Sequence, residues 1–115
     1  MIGDVEQETP FAIELSDDRG TVTVAVTGEL DITTIPELEA AVAGLRPADR
    51  LILDLRALGF MDSTGVRLVM GLDLRSRAEG WALVIVRAPG VVAHVLELCR
   101  IPERVRTVDD PGDAV

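Results

Sequence analysis

The chain has 115 residues, of which 48% are hydrophobic, enough for one folded domain with its own core. Its net charge of −9 repels the phosphate backbone, so nucleic-acid binding is not expected. One cysteine and one histidine exclude an internal disulfide and a metal site built on these residues, and we expect no cofactor. No apolar run could insert into a membrane, and the acidic start does not resemble a signal peptide, which predicts a cytoplasmic protein.

The first half of the chain predicts a hairpin and then a helix. Apolar residues alternate on both sides of the turn at 17–20, which is typical of two antiparallel strands. Thr34 and Glu37 have the spacing of a capping box, with Thr34 as the N-cap. The helix that follows is expected to end before Pro47.

The second half alternates short apolar runs with helical patterns. Residues 51–55 and 81–86 predict buried strands, and 105–108 a short last strand. One helix is expected to run from the turn after Asp62 to about Ala78, and another to start after Gly90.

Strands joined through helices run parallel. The sequence therefore predicts a single α/β domain with a mixed sheet of four to five strands, packed with three or more helices. In this sheet an N-terminal hairpin is antiparallel and the remaining strands are parallel. The domain is expected to span 10–110, with flexible ends at 1–9 and 111–115.

Asp62, Ser63 and Thr64 lie where helix caps are favoured, so one interpretation of them is structural. A catalytic serine would need an adjacent base, but the flanks lack a Gly-x-Ser-x-Gly turn and His94 lies on another helix. We therefore expect no enzyme here. A phosphoryl group on Ser63 would suit the helix dipole, and its added charge would oppose docking on an acidic surface.

The helix after this turn has two apolar rows. The first row is expected to face the core, and its members are Gly65, Leu68, Val69, Leu72 and Ser76. A second row, formed by Val66, Met70 and Leu74, lies roughly 140° away at 3.6 residues per turn. This row is either a partner surface or a second buried side of the helix.

The sequence at this point resembles the STAS family, and specifically the bacterial anti-sigma factor antagonists. The resemblance covers about residues 10 to 110 and depends on four segments at the family's spacing. They are Thr27-Gly28-Glu29-Leu30-Asp31, Leu51-Ile52-Leu53-Asp54-Leu55, Phe60-Met61-Asp62-Ser63-Thr64-Gly65 and Val95-Leu96-Glu97-Leu98.

The resemblance implies a partner-switching cycle. The unphosphorylated protein would bind an anti-sigma factor that is also a serine kinase of the histidine-kinase-like ATPase fold, and so release a sigma factor. Phosphorylation on Ser63 would end binding, and a serine phosphatase would reset the protein. The partner-binding residues implied here are Asp31, Asp62, Thr64 and Gly65, to which the apolar pattern adds Val66, Met70 and Leu74.

Two residues depart from the family pattern. Thr64 stands where serine is common, which leaves it as an alternative phosphorylation site. Arg67 stands where a small residue is common, and it would either pair with a phosphate or remain solvated.

A different class of function is a scaffold. A STAS subunit of a stress-sensing complex, or the small subunit of a lipid-transporting ATPase, would have a similar sequence. A response regulator is excluded because the chain contains no lysine. The sequence does not define the oligomeric state.

Overall fold

The computed structural model describes residues 9–115, in which six strands form one mixed sheet. The strands are β1 (Ala12–Asp18), β2 (Thr21–Leu30), β3 (Arg50–Asp54), β4 (Leu58–Met61), β5 (Ala82–Val86) and β6 (Arg106–Val108). Their order is β1-β2-β3-β5-β6, and β4 pairs separately with the end of β2. Among the strand pairs of residues 9–115 only β1–β2 is antiparallel, so the predicted mixed sheet is confirmed.

Strand β4 is the strand beyond the four to five expected. It has four residues, one of them Gly59, which is too short and too weakly patterned to indicate a strand. It pairs with Gly28, Glu29 and Leu30 of β2 across an irregularity in register.

Three helices are packed against the sheet: α1 (Ile35–Ala43), α2 (Ser63–Glu79) and α3 (Val91–Leu98). Their inward side chains join alternate residues of β2, β3 and β5 in the main core, among them Val24, Leu53 and Ile85. In the region from 9 to 115, no helix is both long and apolar enough to cross a membrane.

The other face of the sheet has a smaller apolar cluster, which contains Ile52, Val84 and Val86. Ala114 packs on this cluster and is fully buried. The sequence predicts a flexible end over 111–115, whereas Pro111–Ala114 forms a 3-10 helix in the structure. The predicted flexible N-terminus lies outside the described residues, apart from residue 9.

Candidate partner-binding and modification site

Two turns meet at one edge of the sheet, where the parallel strands β2 and β4 end. The turn after β2 starts at Asp31, and the turn after β4 contains Asp62 and Ser63. Leu30 pairs with Met61, and its carbonyl accepts a hydrogen bond from the Asp62 amide at 3.2 Å. The Asp31 turn and the start of α2 are therefore neighbours, as the sequence resemblance implies.

Asp62 is the N-cap of α2. Its Oδ1 accepts hydrogen bonds from the Thr64 amide at 2.9 Å and from the Thr64 hydroxyl at 2.5 Å. Such a cap satisfies one of the free amides in the first helical turn. The Thr64 hydroxyl is thus engaged in a hydrogen bond to the Asp62 carboxylate.

Ser63 is the first residue of α2, and its side chain is exposed. Within residues 9–115 its hydroxyl makes no hydrogen bond, in contrast to that of the half-buried Thr64. The cap role that the sequence left open for three residues therefore falls to Asp62, and Ser63 presents an accessible hydroxyl at the positive end of the helix dipole.

Gly65 brings the first turn of α2 close to β2 and β4. A Cβ atom on this residue would lie 2.7 Å from Met61 Cγ and 3.0 Å from Leu30 Cδ2, and both of those side chains are buried. Gly65 therefore supports the site by allowing this close packing. Because it is buried and has no side chain, a direct contact with a partner is not expected of it.

The turn after β2 is built on Asp31 rather than on the predicted capping box. Thr34 makes no side-chain cap, and its hydroxyl donates to the Glu29 carbonyl at 2.8 Å. Oδ1 of Asp31 accepts from the Thr33 hydroxyl at 2.7 Å and from the Thr33 amide at 2.9 Å. These hydrogen bonds from Thr33 are the main reason that the pKa of Asp31 is lowered. Thr34 is the N-cap residue of α1, as predicted, but the hydrogen bonds of a capping box are absent because its hydroxyl oxygen accepts from the Asp31 amide at 3.0 Å instead.

The predicted apolar row on α2 is only partly exposed. Met70 and Leu74 are exposed, by 39% and 62% respectively, but Val66 is only 6% exposed and belongs to the main core. For Val66 the structure therefore supports the alternative of a second buried side of the helix, and its assignment as a partner-binding residue was wrong. The buried arc of α2 is wider than one stripe, and it contains Asp73 as well as the predicted core residues.

Ser63, Arg67, Met70 and Leu74 share the exposed side of α2. At about 100° per residue they fall within an arc of about 60°. Sequence reasoning missed a further exposed apolar side chain, Ile32, which is 72% exposed in the turn that starts at Asp31. The available signal for it was an isoleucine between the second predicted strand and the predicted N-cap Thr34.

A groove of about 380 Å³ separates α1 from α2. Its lining combines apolar side chains such as Leu68 with Thr64, Glu39 and Arg67, and Gly71 leaves its α2 side open. Arg75 also lines the groove, but its guanidinium donates to the carbonyls of Val42 and Leu45 at the end of α1.

Solved structures of anti-sigma factor antagonists have the same fold. An anti-sigma factor antagonist from Mycobacterium paratuberculosis superposes with a TM-score of 0.79 at 22% identity, covering 91% of each chain. SpoIIAA in its unphosphorylated form gives a TM-score of 0.75 at 23% identity, covering 89% of this chain and 92% of that one. The phosphorylated form of the Bacillus SpoIIAA gives 0.63 at 23% identity, covering 89% and 96%.

The match in sequence is longer than any single motif. A family model described as "Mlab, STAS domain" matches residues 13–107. This range contains both turns of the site and all three helices. The sequence resemblance is thereby confirmed: the chain belongs to the STAS domain family.

Proposed function

We propose that this protein is an anti-sigma factor antagonist whose binding is switched by phosphorylation on Ser63. The unphosphorylated form binds an anti-sigma factor serine kinase and thereby frees a sigma factor. The protein acts as a ligand and a substrate, without catalysis of its own. The observation that carries this proposal is the exposed Ser63 hydroxyl, free of hydrogen bonds within residues 9–115, at the start of α2.

The two candidate hydroxyls differ in accessibility. A kinase must reach the acceptor oxygen, and the Thr64 oxygen is half-buried and donates its proton to Asp62. Phosphorylation of Thr64 would break that contact and weaken the cap of α2. Ser63 is therefore the preferred acceptor. The Bacillus SpoIIAA, which has the same fold, is known in a phosphorylated form.

The proposed partner surface extends from Ser63 along the exposed side of α2 and includes the turn after β2. It combines the polar turn at Asp31 with the exposed apolar side chains Ile32, Met70 and Leu74. Isolated exposed apolar residues are common, but several beside one modifiable hydroxyl are suited to a protein interface. A phosphate of charge about −1.5 to −2 at Ser63 would disturb such an interface by repulsion and by the cost of desolvation.

The test uses purified kinases of the histidine-kinase-like ATPase fold from the source genome. The unmodified chain and Ser63→Ala should bind one of them, whereas Ser63→Asp should bind at least about tenfold more weakly. Ser16→Asp adds the same charge to exposed Ser16 in β1, near the opposite end of β2, and should bind normally. Equal binding by Ser63→Asp and the unmodified chain would contradict the switch.

A phosphopeptide map after incubation with kinase and ATP distinguishes the two hydroxyls. We expect phosphate on Ser63 and none on Thr64. A constitutive scaffold subunit would give a different result, because it would form a stable stoichiometric complex that neither Ser63→Asp nor ATP releases.

A further inference from the structure

We infer that Arg67 is an intramolecular clamp for phosphate on Ser63. This inference rests on the proposed function, because it assigns a regulatory role to a second residue of the same site. Ser63 and Arg67 are four residues apart on α2, and both side chains are exposed on the same side of the helix. Side chains at this spacing are neighbours, with Cβ atoms about 6 Å apart.

The Arg67 guanidinium is available for this role. Most arginines of the chain are committed: Arg56, Arg75, Arg77, Arg87 and Arg104 pair with carboxylates, and Arg46 and Arg106 donate to carbonyls. Within residues 9–115, Arg67 forms neither an ion pair nor a side-chain hydrogen bond. Arg67 is exposed, about one helical turn from Ser63.

The surroundings of Ser63 carry negative charge that would oppose a phosphate. The Asp31 carboxylate, whose pKa is lowered, and the Asp62 carboxylate lie on the two adjoining turns, and the chain as a whole carries a net charge of −9. Helix dipole and free amides favour a phosphate at this position, but the neighbouring carboxylates oppose it. Arg67 offsets that repulsion with a charge-assisted, potentially bidentate contact.

The clamp also changes the surface that a partner meets. In the unphosphorylated chain Arg67 stands at the rim of the α1–α2 groove, where the other lining guanidinium, that of Arg75, is held by the carbonyls of Val42 in α1 and of Leu45 just after it. Phosphorylation draws Arg67 toward Ser63 and so withdraws a cation from that rim. One modification thereby adds an anion and removes a free cation from the same face.

The test is a phosphate titration that needs no kinase. Phosphoserine is installed at position 63 during translation, and its second ionisation, with a pKa of about 6 for a free phosphoserine, is followed by phosphorus NMR. A neighbouring cation favours the dianion, so the midpoint should be about 0.3 pH units lower with Arg67 than in Arg67→Gln. Arg67→Lys should retain most of this shift.

Arg19→Gln is the matched control. It removes one arginine from the β1–β2 turn, at the far end of β2 from Leu30, and should leave the midpoint unchanged. If Arg67→Gln titrates like the parent phosphoprotein, the clamp is overturned. Because the phosphate is installed without a kinase, this result is independent of whether any kinase modifies Ser63, which the binding assays test separately.

Discussion

The two aspartate turns at the functional edge of the sheet are built from similar residues but leave different groups free. Asp31 is followed by Thr33 and Thr34, and all three side chains are joined to one another or to the backbone of the turn. Asp62 is followed by Ser63 and Thr64, and only the second hydroxyl is tied to it. The difference is a single uncommitted hydroxyl. By composition both turns could be modification sites. The hydrogen bonds distinguish the Asp31 turn, in which every hydroxyl is bonded (the closed turn), from the Asp62 turn, in which the Ser63 hydroxyl is free within residues 9–115 (the open turn).

The largest effect on stability is expected where the first turn of α2 packs against the ends of β2 and β4. Gly65→Ala should lower the free energy of unfolding by about 1–3 kcal/mol, because the new methyl group would overlap buried Met61 and Leu30. Gly71→Ala is the control on the same helix: its Cβ meets nothing within 4 Å, and it should stabilise the chain by up to about 1 kcal/mol. Denaturant unfolding of both variants measures the difference. Equal effects would mean that the approach at Gly65 is not tightly packed.

Removal of the cap should have the next largest effect. Asp62→Ala leaves the Thr64 amide and hydroxyl without their acceptor and should cost about 1 kcal/mol of unfolding free energy. Asp62→Asn keeps an acceptor oxygen and should cost less. Thermal melting measures both changes, and hydrogen exchange should show increased fraying in the first turn of α2. A cost for Asp62→Asn as large as that for Asp62→Ala would argue against the cap role.

The smallest expected effect is a pH dependence that belongs to the closed turn. Since folding lowers the pKa of Asp31, its stabilising contribution is present above the unfolded pKa of about 3.9 and is lost as pH falls through the folded value. Melting temperatures of the parent chain and Asp31→Asn should therefore differ most near pH 6 and converge in acid. Thr33→Val, which removes the main donor hydroxyl, should weaken the same dependence. A constant difference at all pH values would contradict this assignment.

The sequence predicts the fold well because the core strands and helices have strong periodic patterns. Apolar runs such as 51–55 identify buried strands, and the helical spacing from Gly65 to Ser76 identifies the core side of α2. What the sequence does not predict is set by tertiary neighbours. Val66 is buried because the core covers a wider arc of α2 than its own pattern requires. Ala114 is buried because a sheet face distant in sequence accepts it.

The site is predictable in its location but not in its hydrogen bonds. Residue types at a strand–helix boundary indicate a cap, and three adjacent candidates cannot be separated by type alone. The assignment depends on one carboxylate oxygen that reaches Thr64 and not Ser63. In the turn after β2, likewise, residue types identify Thr34 as the N-cap of α1 but do not show that its hydroxyl oxygen accepts from the Asp31 amide.

The two arginines on the groove side of α2 carry the same charge but have unequal freedom to vary. The guanidinium of Arg75 donates to the carbonyls of Val42 in α1 and of Leu45 just after it, pairs with Glu79 and lies 5.5 Å from the centre of the Trp81 ring. A lysine has a single compact charge and cannot maintain all of these contacts. Arg67 has no such ties in the described chain. Evolutionary drift at position 67 can therefore tune regulation while the architecture stays intact, whereas drift at position 75 would loosen the packing of α1 on α2.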